Sequence, residues 1–318
     1  MRKITCIMAL MFVCVSVANA QTVKRLSKFV YYQNNALYAT NNRYYDDYGR
    51  VNKAEYIKAD GTRNDITITY SADGKTITLL GSGPSVYSDV MTKSVVTLEN
   101  GRITKMVSDF NSTYGDFVES NNIIFDVDGG LQQIEASYNY ASGRTEGPYT
   151  YALAWSGGNI ISFTVDASVM NFTYSAIDTP ATFPFRMDIG FDFENFDSPS
   201  PLNYIDIKYS GKLSSKLPAS TVRYRDGEVH ETNTISYDLD GNGDVKAIDF
   251  TNTYKGNTTK HHLDLYYTDV HTGIDAVTSE TNVVPSRIYN VSGQRLPALS
   301  NGLNIIKTVS GETIKVIK

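Results

Sequence analysis

The chain has 318 residues, with 29 basic and 34 acidic side chains and a formal net charge of −5 at pH 7. This acidic balance argues against nucleic acid or an acidic membrane surface as a partner, because both are negatively charged. The two cysteines, Cys6 and Cys14, both lie within the first 20 residues. The rest of the chain therefore has no disulfide, no catalytic thiol and no cysteine metal site.

The first predicted element is a secretory signal peptide over residues 1–20. Arg2 and Lys3 provide a basic start, residues 4–17 are apolar, and Ala18-Asn19-Ala20 is the small-residue ending typical of a cleavage site. The apolar stretch is shorter than the ~20 residues of a membrane-spanning helix. We therefore expect a cleaved leader, an exported chain and no transmembrane segment in the mature protein.

A repeated hairpin dominates residues 21–271. Each copy has an alternating apolar and aromatic run, a turn that contains glycine, and a second alternating run. The turn glycines Gly74, Gly101, Gly130 and Gly158 are 27, 29 and 28 residues apart. Alternation with period two indicates strands, and turns this short join only antiparallel neighbours. The sequence predicts an all-β fold: a large antiparallel hairpin meander that forms an open curved sheet or a barrel-like structure.

One segment interrupts the repeat between about residues 176 and 218. It holds prolines and phenylalanines in unusual number: Pro180, Phe183, Pro184, Phe185, Phe191, Phe193, Phe196, Pro199 and Pro201. Loops of this length are more often covering or functional elements than accidents. We expect a long loop that its aromatic side chains pack against the sheet.

The end of the chain differs from the repeat in composition and sequence pattern. Residues 272–286 are polar and poorly patterned, which is typical of a linker. Residues 287–318 contain three short strand patterns separated by two turns. They predict a small C-terminal three-stranded β appendix.

Three spaced motifs occur in this appendix. Their residues are Tyr289, Asn290, Gly293, Gln294 and Arg295; Gly302, Ile305 and Lys307; and Gly311, Lys315, Val316 and Lys318. In order and position they resemble the C-terminal sorting domains of cargo of the type IX secretion system of Gram-negative bacteria. The resemblance implies that residues 287–318 engage the type IX secretion machinery. It also implies export through the periplasm to the cell surface or the extracellular space.

The body of the chain carries a second resemblance, over about residues 40–270. Its motifs are the runs at 45–51, 100–105 and 151–158 and the pair Tyr237-Asp238. They are similar to a family of secreted bacterial domains of unknown function with a porin-like, many-stranded fold, and more distantly to the YD repeats of large surface proteins. The resemblance implies a fold and no activity.

An oxygen-rich loop over residues 238–249 is the strongest local signal for a metal. The side chains that match a calcium loop are Asp238, Asp240, Asn242, Asp244 and Asp249, with Gly243 at the sharp turn. A helix should follow an EF-type loop, yet residues 250–257 have the composition of a strand. Two interpretations follow: a plain hairpin turn, or a hairpin turn that binds Ca²⁺.

The remaining candidates each have a structural and a functional interpretation. Tyrosines such as Tyr138 and Tyr140 can pack across strands, or they can form a platform for sugar rings or a protein partner. The adjacent His261 and His262 must point to opposite faces of a strand, which argues against a shared metal. Carboxylate pairs, such as Asp46 with Asp47 and Asp192 with Glu194, could serve a glycosidase only if the fold brought two of them together.

These observations favour a secreted or cell-surface binding or adhesion module without catalysis, for a glycan or protein ligand. The alternative is a carbohydrate-active hydrolase whose carboxylates converge in the fold. An integral outer-membrane barrel ranks last, because the predicted strands carry polar residues on both faces where lipid requires one uniformly apolar face.

Overall fold

The computed structural model describes residues 21–82, 89–112, 115–185 and 204–272, and short stretches at 285–290, 293–296, 303–308 and 313–317. The predicted signal peptide and most of the predicted linker lie outside these residues. None of the described residues belongs to a helix long and apolar enough to cross a membrane.

Residues 21–272 form a closed barrel of sixteen strands, each antiparallel to its neighbours in the chain. The predicted all-β meander is thereby confirmed, and its sheet is closed. The strands are β1 Gln21–Gln33, β2 Ala36–Tyr45, β3 Val51–Lys58, β4 Arg63–Tyr70, β5 Thr76–Ser82, β6 Asp89–Glu99, β7 Arg102–Ser112, β8 Phe117–Phe125, β9 Leu131–Tyr140, β10 Thr145–Ser156, β11 Asn159–Val165, β12 Ser168–Asp178, β13 Lys216–Arg225, β14 Glu228–Leu239, β15 Val245–Tyr254 and β16 Asn257–Thr272.

Strand β1 pairs with β16, which closes the barrel, and with β2 on its other side, and these two pairings differ in length. β1 pairs with β16 from Gln21↔Thr272 to Gln33↔His261, over almost the whole strand. β1 pairs with β2 only from Lys28↔Asn42 to Gln33↔Ala36. The first part of β1, residues 21–27, is therefore not paired with β2, and we call this place the seam.

Turns alternate between the two ends of the barrel because consecutive strands are antiparallel. One end, the plugged end, carries the turns at 46–50, 71–75, 100–101, 126–130, 157–158 and 240–244 and the stretches 179–185 and 204–215. The other end, the polar end, carries the turns at 34–35, 59–62, 141–144, 166–167, 226–227 and 255–256. All four glycines that define the sequence repeat lie in turns at the plugged end.

The buried interior of the barrel is mainly apolar, and its outer surface is polar. In β4, for example, Ile66 and Ile68 are buried while Thr67 and Thr69 are exposed. Such inward side chains form two hydrophobic clusters that fill much of the barrel. The large apolar or aromatic side chains exposed among the described residues are scattered: Leu37, Tyr44, Tyr48, Leu80, Ile124, Val127, Ile161, Val229, Tyr254 and Tyr266.

Residues 179–185 and 204–215, the described parts of the segment between β12 and β13, plug one end of the barrel. Phe183 and Phe185 are buried with the β1 side chains Leu26 and Phe29, and the Phe29 and Phe185 rings meet edge to face at 5.8 Å. Tyr204 and Ile205 join the second cluster. A 3-10 turn, Ile207–Ser210, follows. The described part of this segment thus packs by aromatic side chains as predicted, and Phe191, Phe193 and Phe196 lie outside the described residues.

Six of the eight strands that run towards the plugged end carry, at or near their ends, an inward aromatic residue whose polar group donates to a backbone carbonyl. The Tyr45 hydroxyl donates to Leu26 O at 2.6 Å, Tyr70 to Val51 O at 3.0 Å, and Tyr237 to Pro218 O at 2.8 Å. Three more residues do the same: Trp155 to Leu131, Tyr174 to Ile160 and Tyr267 to Val245. We call these six residues the end aromatics. They tie each strand to a neighbour near its end, which accounts for part of the tyrosine content.

The C-terminal stretches form a separate four-stranded sheet. Its strands are β17 Pro285–Asn290, β18 Arg295–Leu296, β19 Leu303–Thr308 and β20 Thr313–Ile317, in the order β18-β17-β19-β20. The three predicted strands are present as β17, β19 and β20, and the two-residue β18 extends the sheet at one edge.

Candidate functional site

A continuous run of aromatic side chains lines the inner wall of the barrel towards the polar end. The Phe110 and Phe117 rings stack at 4.9 Å, Phe117 lies 6.1 Å from Tyr138, and Tyr138 lies 6.1 Å from Tyr149. The run spans five strands, β7 to β11, and comprises Phe110, Phe117, Tyr138, Tyr140, Tyr149, Tyr151 and Phe163. We call it the aromatic face.

Register places these side chains inside the barrel. Tyr149 pairs with Ala136 and Phe163 pairs with Leu153, and both partners are buried. Directly paired residues of an antiparallel sheet lie on the same side. Apart from the buried Phe110, the rings are only partly buried. The aromatic face therefore presents ring surface that the core does not cover.

Two carboxylates lie within the aromatic face, one on each side of Tyr138. Glu119 pairs with Tyr138 across β8 and β9, and Tyr138 pairs with Glu146 across β9 and β10. The Tyr138 hydroxyl donates to Glu119 Oε1 at 3.4 Å, and the Tyr140 hydroxyl donates to Glu146 Oε2 at 3.3 Å. The face thus combines ring surfaces with hydrogen-bonding oxygen atoms.

Burial shifts the pKa of several side chains in the aromatic face. It raises the pKa of the Glu119 carboxyl, and hydrogen bonds from Asn121 and Tyr138 oppose the shift. Burial also raises the pKa of the Tyr138 and Tyr151 hydroxyls. The tyrosines are therefore neutral hydrogen-bond donors at physiological pH, and Glu119 holds its proton to a higher pH than an exposed glutamate.

A second polar cluster lies towards the same end on β13 to β15, and its carboxylate is fully engaged. Glu231 accepts hydrogen bonds from Asn233 Nδ2 at 3.0 Å and Asn252 Nδ2 at 2.8 Å, and it pairs with Arg223 at 3.2 Å. Asn233 Nδ2 also donates to Thr221 Oγ1 at 3.0 Å. A buried carboxylate with this many partners is a structural network, because each partner offsets the cost of burying the charge.

The residues of the predicted calcium loop pair with two lysines and a histidine. The Lys24 ammonium binds Asp244 and lies 3.2 Å from Asp240 Oδ2. Asp238 pairs with Lys246 at 2.9 Å, and Asp249 contacts His262 at 2.7 Å. No group of three or more metal-binding side chains occurs among the described residues. Calcium binding at this loop stays a prediction, and the ion would have to displace Lys24.

A recurring turn explains the calcium-like pattern. Asp240 Oδ1 accepts hydrogen bonds from the backbone N–H groups of Asn242 and Asp244, and Gly243 has a φ of 85°. Asp46 and Asp126 accept the corresponding pairs of bonds in their own turns. Asp240 and Gly243 thus match a turn that the chain uses at least three times.

The paired histidines lie on opposite faces, as predicted. His261 is buried inside the barrel, where its Nδ1 shares a 2.6 Å hydrogen bond with the buried Tyr31 hydroxyl. Burial lowers the pKa of His261 to about 4. His262 lies outside, between Asp249 and Asp264 at 2.7 and 3.1 Å, and these carboxylates raise its pKa.

The other predicted carboxylate pairs form no site in the described structure. Asp46 caps its own turn and pairs with Arg50 at 2.7 Å, while Asp47 is exposed. Asp192 and Glu194 lie outside the described residues. The pair that the fold does assemble, Glu119 and Glu146, is 27 residues apart in the chain, and only the register of three strands brings it together.

The barrel is similar to solved structures of porin-like proteins. A porin-like protein from Bacteroides uniformis ATCC 8492 matches with a TM-score of 0.51 and 15% sequence identity, over 77% of this chain and 97% of that chain. One from Bacteroides vulgatus ATCC 8482 matches with a TM-score of 0.54 and 14% identity, over 77% and 99%. No protein-family model and no curated protein matches the chain. The similarity is one of fold, and it confirms the predicted porin-like β domain.

Proposed function

We propose that the protein is a non-catalytic binding module of the cell surface or extracellular space, and that its aromatic face binds a glycan. The observation that carries the proposal is the uncovered ring surface of the aromatic face beside Glu119 and Glu146. Sugar rings offer apolar C–H faces that pack on aromatic rings, and hydroxyl groups that pair with carboxylates and phenols. Rigid aromatic side chains bind with a small loss of conformational entropy.

The outer surface of the barrel supports a location in water. Transmembrane barrels carry an outward apolar band about 25 Å tall. Here the outward positions of the described strands are rich in threonine, serine and charged residues, as in the run from Arg63 to Thr69, and most inward positions are apolar. The fold is porin-like, but its polarity is the reverse of what a lipid-facing barrel needs. We therefore place the domain outside the hydrocarbon core of a membrane.

The route to that location forms part of the proposal. The predicted signal peptide at residues 1–20 would start export, and the C-terminal residues 287–318 would engage the type IX secretion machinery across a linker at 272–286. The described C-terminal residues form a four-stranded sheet separate from the barrel sheet. Fractionating cells that express the full chain, with and without residues 287–318, tests this: deletion should leave the protein in the periplasm.

The glycan proposal is tested by a glycan array with the secreted chain and two variants. Tyr151→Ala removes a ring from the aromatic face, and Tyr44→Ala removes an exposed tyrosine from the outer wall as the matched control. Loss of a central aromatic contact costs about 2 kcal/mol in binding interfaces, or roughly a 30-fold loss of affinity. We expect that loss for Tyr151→Ala and none for Tyr44→Ala. An array without a bound glycan, or equal losses in both variants, would contradict the proposal.

A hydrolase is the second candidate, because Glu119 and Glu146 flank Tyr138. Strands lie about 4.8 Å apart, so these two residues sit about 10 Å apart along the sheet. That spacing allows their carboxyl groups to approach the ~6.5–9.5 Å of an inverting glycosidase. The raised pKa of Glu119 suits a general acid. Release of reducing ends from a bound glycan, abolished in Glu119→Gln, would establish this function. Binding without turnover would exclude it.

A further inference from the structure

Glu119 of the aromatic face differs from the other carboxylates inside or within the wall of the barrel. The buried carboxylates among the described residues each have a basic partner: Glu55 with Lys53 and Arg63, Asp206 with Arg25, and Glu231 with Arg223. A cation offsets the cost of keeping a carboxylate charged away from water. Burial raises the pKa of Glu119, yet the groups that hydrogen-bond to it, on Asn121 and Tyr138, are neutral. No basic side chain among the described residues pairs with it.

Aromatic rings lie next to the Glu119 side chain. Tyr138 is directly opposite Glu119 on β9, and the Cβ atoms of such a pair are about 5 Å apart. Phe117 is two residues earlier on the same strand, so it points to the same side of the sheet. The Phe117 ring lies 6.1 Å from the Tyr138 ring and 5.6 Å from the Tyr140 ring. The carboxylate therefore lies beside several aromatic rings of the inner wall.

A ligand can reach this part of the aromatic face. Glu119, Phe117 and Tyr138 are each only partly buried, so some of their surface is open to solvent. The other carboxylate of the face, Glu146, is already paired with Arg144. Glu119 is therefore the place in the aromatic face where a positively charged group on a ligand would meet a carboxylate that has no cation of its own.

An ammonium group fits both parts of this site. The face of an aromatic ring attracts a cation that lies within about 6 Å of its centre, and the attraction grows when the cation is removed from water. A carboxylate accepts a charge-assisted hydrogen bond from the same group, which is roughly twice as strong as a neutral one. An anionic group is disfavoured, because its charge would lie beside that of Glu119. A neutral hydroxyl group would leave the carboxylate without a cation.

We propose that the glycan bound by the aromatic face carries a protonated amine, as amino sugars without an acetyl group do, and that this amine binds Glu119. The inference rests on the proposed glycan binding and names the class of glycan. The sugar ring packs on the neighbouring aromatic rings, and its ammonium group donates to the Glu119 carboxylate. Acetylation of the amine removes the positive charge, so an N-acetylated sugar lacks this ion pair.

Titration calorimetry of the secreted chain with three related glycans tests the proposal. The hexamers of chitosan, chitin and cellulose share one linkage and differ only in the group at one ring carbon: an amine, an acetamide and a hydroxyl. A mildly acidic buffer keeps the amine charged, and added salt screens the attraction of a polycation to the acidic protein surface. We expect the chitosan hexamer to bind about 10-fold to 100-fold more tightly than the two neutral hexamers, as expected for a hydrogen bond to a charged group.

Two results of this titration would overturn the assignment of an amine. One is equal affinity for the three hexamers, and the other is no binding of the chitosan hexamer. The glycan proposal itself is decided separately by the array: a glycan that binds there, and binds more weakly to Tyr151→Ala, leaves glycan binding in place whatever the hexamers show.

Two glutamate variants locate the amine. Glu119→Gln should weaken binding of the chitosan hexamer about 10-fold or more and leave the neutral hexamers nearly unchanged. Glu99→Gln is the matched control, because Glu99 is exposed beside the turn at 100–101, at the plugged end. It removes the same charge away from the aromatic face and should change none of the affinities. Equal losses in the two variants, or no loss in Glu119→Gln, would contradict the proposal. Should Glu119→Gln fail to fold, the comparison of the three hexamers on the unaltered protein still decides the outcome.

Discussion

The two ends of the barrel use the same residue type in different ways. At the plugged end, tyrosines such as Tyr45 and Tyr237 donate to backbone carbonyls and pack against the core. Towards the polar end, Tyr138 and Tyr140 donate to carboxylates and keep part of their rings uncovered. The difference teaches that aromatic content alone does not indicate a binding surface. What matters is whether the hydroxyl group and the ring are already used by the fold.

The largest expected effect concerns the packing of the plug at one end of the barrel, compared with the outer wall. Phe183→Ala removes a buried ring of the plug and should lower the free energy of unfolding by about 3–5 kcal/mol, because it leaves a cavity. Leu80→Ala, on the outer wall and about half exposed, should change it by no more than about 0.5 kcal/mol. Urea unfolding measures both. A small effect of Phe183→Ala would mean that the plug does not belong to the core.

A pH effect should follow from the two adjacent histidines. His261 has a folded-state pKa of about 4 against an ordinary value of 6.5. Folding thus favours its neutral form, and the stability it contributes is complete above pH 6.5 and lost as the pH falls towards 4. The loss amounts to roughly 3 kcal/mol. His261→Gln should flatten the dependence of unfolding free energy on pH over this range.

The control is the neighbour on the outer wall, His262, whose pKa is raised. It contributes stability that is present below pH 6.5 and is lost as the pH rises through its folded-state pKa. His262→Gln should therefore lower stability at pH 6 more than at pH 8. The same pH profile in both variants would contradict the placement of the two histidines on opposite faces.

A smaller effect separates the tyrosines of the two ends. Tyr237→Phe leaves the Pro218 carbonyl without its donor and should cost about 1–2 kcal/mol of unfolding free energy. Tyr151→Phe, in the aromatic face, should cost about 0.5 kcal/mol or less. Chemical denaturation of both variants checks this order. Equal costs would mean that the aromatic face is also a structural element.

The smallest expected effect concerns the predicted calcium loop. Asp240→Ala removes the side-chain acceptor for two backbone N–H groups and one of the partners of Lys24, and should lower the unfolding midpoint slightly. We expect the same decrease with calcium and with a chelator. A calcium-induced rise in the unfolding midpoint that Asp240→Ala abolishes would instead establish the loop as a metal site.

Sequence patterns predicted what depends on neighbours in the chain. Alternation and Gly-containing turns are local, so the hairpins and the all-β class could be predicted from runs such as Ile66 to Tyr70. The aromatic packing of the plug could be predicted from Phe183 and Phe185 in the segment that interrupts the repeat. Closure of the barrel could not, because β1 pairs with a strand more than 200 residues away. For the same reason no local pattern could place Lys24 beside Asp240 and Asp244.

The aromatic face could be predicted only in part from the sequence. The sequence shows that tyrosines are numerous, but the end aromatics are mostly tyrosines as well and lie in the same alternating pattern. Direction along the hairpin distinguishes them: the end aromatics close strands that run towards the plugged end, next to turns such as 46–50 and 71–75. Glu119 gave no signal in the sequence, because its role depends on its register with Tyr138.

Oxidative footprinting of the tyrosines tests most directly whether the polar end binds ligand while the plugged end is structural. The secreted chain would be labelled with and without the glycan that the array selects. We predict that Tyr149 and Tyr151 of the aromatic face lose reactivity on binding, while Tyr44 and Tyr48, which are exposed near the plugged end, do not. Protection of Tyr44 or Tyr48 with no change at Tyr149 and Tyr151 would contradict this account.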